Sequence, residues 1–138
     1  DDLVYPYESH QIHPCQKQQV GERLALQALN KTYGMKSIQC ESPSFKNLKI
    51  SNDTCYIHLQ NNYKAISRLE DLQGFEVAGP DHVFHKATAT YGWQKEIIIT
   101  CPDVRQPVAV RYAFRNWGYG NVKNGALLPL FPFRTDNW

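Results

Sequence analysis

A histidine followed by a proline, His13-Pro14, opens a patterned stretch that runs through Cys15-Gln16-Lys17-Gln18-Gln19-Val20-Gly21-Glu22-Arg23 into Leu24-Ala25-Leu26. The proline ring disfavours helical geometry in the residue before it, so His13 is expected on an extended loop. Pro14 suits the first helical position, where its missing N–H costs nothing. His13 is thus predicted at the tip of a helix with its ring free to project. The positive end of the helix dipole opposes a second positive charge there and favours neutral imidazole, the form a general base needs.

The segment Ile12 to Gly34, IHPCQKQQVGERLALQALNKTYG, resembles the part of the sialate O-acetylesterases that carries the catalytic histidine. Two further segments, PVAVRYAFRNW (Pro107 to Trp117) and ALLPLFPFRTDNW (Ala126 to Trp138), are similar to the C-terminal signature of the same family. These enzymes are SGNH-type serine esterases whose histidine precedes the last helix of the catalytic domain. The resemblance implies His13 as the catalytic general base. It also implies a nucleophilic serine in a glycine-flanked turn and oxyanion donors from earlier in the domain. The serines here are Ser9, Ser37, Ser42, Ser44, Ser51 and Ser67, and none has the flanking glycines that a sharp nucleophile turn requires. A histidine without its nucleophile cannot run acyl transfer. The chain is therefore expected to be the C-terminal part of an esterase, inactive alone. Its serine would come from an N-terminal portion or a companion chain, and its substrate would be an O-acetylated sialic acid or related acylated glycan.

SGNH enzymes often hold the histidine tautomer with an aspartate three residues upstream, and that position is His10 here. The candidates for orienting His13 are a backbone carbonyl, Glu8 reaching from the loop, or His10 itself. A degenerate site is the remaining arrangement, and it leads to the alternative function: a non-catalytic carbohydrate-binding or structural β-module derived from the family.

Positioning elements follow from pattern. Between Pro14 and about Thr32 the apolar Val20, Leu24, Ala25, Ala28 and Leu29 share one face of a 3.6-residue period, and Gly34 is a suitable stop. That face needs a partner, which in the resembling family is the catalytic α/β domain. After Gly34 the signal becomes β. Asn47–Ser51 and Thr54–Leu59 alternate around a Ser51-Asn52-Asp53 turn, and Gly74–Ala78 ends at Gly79-Pro80. Val83–Tyr91 and Glu96–Thr100 flank Gly92 as a hairpin, and Val108–Phe114 places Val108, Val110, Tyr112 and Phe114 on one face. The residues from Asn116 are expected to be an ordered loop that packs back. The fold class read from this order is α+β: residues 1–35 as the end of an SGNH α/β hydrolase domain, residues 36–138 as an antiparallel β-sandwich.

Composition narrows the partners. Fifteen basic and 13 acidic residues give a net charge of +2 with no basic run, so nucleic acid binding has no support. No apolar run approaches the roughly 18 residues of a membrane span. The opening Asp1-Asp2, without a signal peptide, suits a mature or internally cut protein. The sequons Asn30-Lys31-Thr32 and Asn52-Asp53-Thr54 make Asn30 and Asn52 glycosylation acceptors if the protein is secreted or lysosomal. Cys15, Cys40, Cys55 and Cys101 are too widely spaced for a zinc site; two disulfides, or bonds to a partner chain, are open to them. No cofactor is called for. His10-x-x-His13 and His82-x-x-His85 resemble metal pairs, but residues three apart on a strand face opposite ways. The aromatic tail (Trp117, Tyr119, Phe131, Phe133, Trp138) is read as core and loop anchoring before a sugar platform. Arg111 and Arg115 are read as a solvated outer face before a carboxylate fork.

Overall fold

A computed structural model of the chain describes residues 16–63, 71–116 and 118–138. Its fold class is α+β, one helix and two antiparallel sheets. Helix α1 (Lys17–Gln27) continues as a π-helical turn over Ala28–Thr32. Gly34 then takes a left-handed φ of 72°, the stop its missing Cβ allows. Eight strands follow: β1 (Ser44–Ser51), β2 (Thr54–Gln60), β3 (Phe75–Ala78), β4 (Phe84–Lys86), β5 (Thr88–Tyr91), β6 (Ile97–Thr100), β7 (Ala109–Tyr112) and β8 (Phe133–Arg134). They form one sheet in the order β1-β2-β6-β5 and a second in the order β4-β3-β7-β8.

Both sheets feed one hydrophobic core. Cys55, Ile57, Ala89, Ile97 and Ile99 come from the first, and Phe75, Val77, Val110, Tyr112 and Phe133 from the second. In β2 Cys55 and Ile57 are buried, in β6 Ile97 and Ile99, with partly exposed residues between them, as a strand with one face on a core requires; β3 buries Phe75, Val77 and also Ala78. The β1–β2 turn forms where expected, with Asn52 at a φ of 55° that asparagine tolerates. In β1 a bulge between Phe45 and Asn47 interrupts the register.

Two expected strands are corrected. The run Val83–Tyr91 is not one strand of a hairpin. It divides at buried Ala87, β4 pairing with β3 in one sheet and β5 with β6 in the other. The Ala87 N–H donates to the Phe75 carbonyl at 3.0 Å, which fixes the crossing. The strand expected over Val108–Phe114 is shorter, because Ala113 turns to a φ of 45°. Val110 and Tyr112 point into the core while Val108 and Phe114 are exposed, so the one-face reading holds only in the middle.

The thiols of Cys40, Cys55 and Cys101 are free and buried, which corrects the expectation of disulfides among them; Cys15 lies outside the described residues. Burial pushes the Cys55 thiol up to about 11. No helix among the described residues is long and apolar enough to cross a membrane.

Candidate functional site

The expected catalytic residue His13 and its candidate orienting groups Glu8 and His10 lie outside the described residues. The helix that they lead into is described from its first turn. Helix α1 buries none of its residues; Leu24 is 65% exposed and Val20 is exposed beside it. Such helices are normally held by packing of their apolar stripe, which this one presents to solvent. What fastens it to the β part is polar and sits at its far end. The Gln27 side-chain amide donates to the Cys40 carbonyl, Asn30 Nδ2 donates to the Ile38 carbonyl at 2.8 Å, and Lys31 forms an ion pair with Glu41. That pairing raises the Lys31 ammonium above its ordinary value.

The two sequons therefore differ in setting. Asn30 Nδ2, the atom a glycan would join, is engaged with Ile38, whereas Asn52 is exposed at the β1–β2 turn.

The two C-terminal segments that carry the family resemblance form one unit. Strand β7, from the first, pairs with β8, from the second, through Arg111↔Arg134 and Tyr112↔Phe133. Arg111 forks onto the Asp136 carboxylate, Nε to Oδ1 at 2.9 Å and Nη2 to Oδ2 at 2.7 Å. Arg134 adds a third contact at 2.9 Å, and the Asp136 side chain is fully buried. The two guanidiniums hold its carboxyl below the ordinary carboxylate value. Arg111 also lies 3.9 Å over the Phe84 ring. Arg115 is paired with Glu76. Arg115, read as part of a solvated outer face, is 63% exposed at its side chain and Arg111 22%, and both forks are filled from within the chain rather than left open for a ligand carboxylate.

The tail from Asn116 packs back as expected, but its organiser, Asn124, carried no signal in the sequence. This fully buried residue donates to the carbonyls of Glu41 and Asn61 and accepts from the N–H groups of Ala126 and Leu128. Of the tail aromatics, Phe133 is core, stacked on Phe45 at 4.9 Å, while Tyr119, Phe131 and Trp138 are exposed and Trp117 lies outside the described residues. His82 does not lie on a strand with His85. It occupies a turn at a φ of 62° and stacks on Trp138 at 3.9 Å. No group of three metal-capable side chains occurs among the described residues.

No family model matches the chain, and no curated protein matches it. Among solved structures it is similar to the crystal structure of XAC1771, a novel carbohydrate acetylesterase from Xanthomonas citri, with a TM-score of 0.83 and 33% sequence identity. The match covers 99% of this chain and 31% of that one, so the chain spans about a third of the enzyme's length. In sequence and in fold, the protein is related to part of a carbohydrate acetylesterase.

Proposed function

We propose that the chain is the C-terminal part of a serine esterase that removes O-acetyl groups from sialic acids or related acylated sugars. The observation that carries this reading is the similarity to a carbohydrate acetylesterase over nearly the whole chain. The unburied apolar stripe of α1 supports it independently. A helix with Leu24 in solvent is suited to lie against a catalytic domain, with His13 delivered at its N-terminal end.

In this mechanism a serine outside these 138 residues attacks the acetyl carbonyl while His13 takes its proton. His13 returns that proton to the sugar alkoxide as the alcohol leaves, and then activates the water that hydrolyses the acetyl-enzyme. Hydrogen-bond donors outside the chain stabilise the oxyanion. Glu8, His10 or a backbone carbonyl holds the imidazole tautomer. The β part, residues 36–138, serves as a sandwich domain that anchors the helix. A secretory or lysosomal setting, with Asn52 as the better placed glycan acceptor, belongs to the same proposal.

The second reading, a non-catalytic module, is favoured by one feature: histidine rather than aspartate three residues before His13. Two experiments separate the readings. In the complete protein, His13→Ala should lower turnover of an O-acetylated sugar by at least about a thousandfold and leave the melting temperature unchanged. A fluorophosphonate probe should label a serine in the parent enzyme. Undiminished hydrolysis after His13→Ala rejects the base assignment, and no labelling of the complete protein rejects the esterase.

A further inference from the structure

The one Asn-Gly pair in the sequence, Asn124-Gly125, stands at the buried organiser of the tail. An asparagine carboxamide followed by glycine is the arrangement most open to attack by the next backbone nitrogen, because glycine brings no Cβ to hinder the approach. Asparagine is for this reason among the thermolabile residues of proteins. Here that chemistry sits where the fold can least absorb it.

The loop that carries the pair lies inside the bridge Lys123↔Pro129. Asn124 N–H donates to the Leu128 carbonyl and Leu127 N–H to the Asn124 carbonyl, both at 2.9 Å. The loop is pinned to the open end of the β1–β2 hairpin, where Ser44 faces Gln60. Asn124 Nδ2 donates to the carbonyl of Glu41, just before β1, at 3.1 Å, and to that of Asn61, just after β2, at 3.4 Å. Gly125 N–H donates to the Tyr63 carbonyl at 2.9 Å. Asn124 Oδ1 accepts from the N–H groups of Ala126 and Leu128, each at 3.0 Å.

These bonds act on the reaction in opposite directions. Two N–H donors on Oδ1 would stabilise the oxyanion formed when Cγ is attacked. The nucleophile and the leaving group are held back. The Gly125 nitrogen must lose a proton that is committed to Tyr63, and Nδ2 must leave as ammonia while it bonds two carbonyls. The carboxamide is also fully buried, away from the water that the reaction consumes.

We propose that Asn124 is a site of self-modification that the closed tail protects and an opened tail releases. Once the loop opens, the Gly125 nitrogen gives its proton to water or hydroxide and attacks Asn124 Cγ. The N–Cγ bond forms, the Cγ–Nδ2 bond breaks, and ammonia leaves behind a cyclic succinimide. Water then cleaves the ring at either carbonyl, giving aspartate or isoaspartate. Aspartate puts an anionic oxygen where Nδ2 met the carbonyls of Glu41 and Asn61. Isoaspartate adds a methylene to the main chain ahead of the Gly125 N–H. Neither product rebuilds the bonds of Asn124, so a transient opening becomes a permanent one. No step of the proposed esterase uses Asn124, so the test is independent of His13.

The complete protein is kept in warm, mildly alkaline buffer, either folded or in concentrated urea. Samples are quenched in acid, digested with pepsin and followed by mass spectrometry for conversion of the amide at Asn124 to an acid. Conversion should be at least about a hundredfold slower in the folded protein, because slow chemistry samples only the open fraction. Urea below the unfolding transition should speed it progressively. In concentrated urea Gly125→Ala should slow conversion by about tenfold or more. Gly125 is exposed and takes no left-handed φ, so this variant folds. Asn124→Asp, the product made directly, should melt about 5 °C or more below the wild type. Conversion at the same rate in folded and unfolded protein overturns the proposal, as does an Asn124→Asp variant that melts like the wild type. Absence of conversion in concentrated urea overturns it too.

Discussion

Removing the Asp136 carboxylate should be among the most damaging single changes to the β part that leave the hydrophobic core intact. In Asp136→Ala, Arg111 loses both bonds of its fork, at 2.9 and 2.7 Å, and keeps the Phe84 ring at 3.9 Å. Charge-assisted bonds contribute about 1.5–3 kcal/mol each, so the pair sets a range of about 3–6 kcal/mol. The Arg111 side chain is 22% exposed, so water recovers part of that, and the lower end, about 3 kcal/mol, is expected. Arg134 suffers less. It retains its bonds to the carbonyls of residue 136, at 3.1 Å, and of Trp138, at 2.7 Å. For a chain of this size about 3 kcal/mol corresponds to a melting point lowered by roughly 10 °C. Urea denaturation at neutral pH measures the difference directly, and Arg134→Ala, at about 1 kcal/mol or less, is the control. The effect should also depend on pH in one direction. The Asp136 pKa is depressed in the folded chain, so its contribution is complete above the ordinary carboxylate value of about 4. It fades as pH falls below that through the folded value, where the variant and wild-type curves converge. A loss under 1 kcal/mol at pH 7, or a gap that widens in acid, would refute the account of this residue as the clamp between β7 and the tail.

Three other outcomes follow from the same packing. Asn124→Ala leaves two partly buried carbonyls and two N–H groups without their side-chain partner, and should cost about 2–3 kcal/mol in urea denaturation, whereas replacement of exposed Asn137 should cost under 0.5. Gly120→Ala pushes a methyl against the hydroxyl of buried Tyr112, which accepts the Val122 N–H at 3.0 Å, so a destabilisation of about 1–3 kcal/mol is expected by calorimetry, and an unchanged melting point would show that the tail moves freely there. Cys40, Cys55 and Cys101 should resist a thiol reagent at pH 8 in the native protein and react on unfolding; for Cys55, whose thiol is pushed up to about 11, rapid native labelling would contradict its burial.

What the sequence made legible divides along a physical line. Local signals worked where the structure is local. The Ser51-Asn52-Asp53 turn set the register of β1 on β2, and Gly34 ended the helical stretch through its own φ. Alternation worked in β2, where Cys55 and Ile57 turn to the core. It failed in Val83–Tyr91, because strand propensity is continuous through a chain that changes sheets, and only the partner strands reveal the crossing. Charged residues were read worst. Arg111 and Asp136 lie 25 positions apart, and Arg115 and Glu76 39 apart, so each resembled an ordinary solvated residue until the tail was folded over the sheet. Glu96 is the extreme case. In the sequence it reads as the first residue of the strand Glu96–Thr100 with no sign of burial, and it is buried because Gly92 leaves room for a carboxylate. The resemblance to an esterase family works by a third route. Its two C-terminal segments are matched where β7, β8 and Asp136 close on one another, so what it recognises there is a fastening of the fold, while the chemistry it assigns to His13 rests on the helix segment. A mutation in the Arg111–Asp136 clamp that abolished esterase activity would thus be evidence about stability, and the catalytic assignment has to be tested at His13 itself.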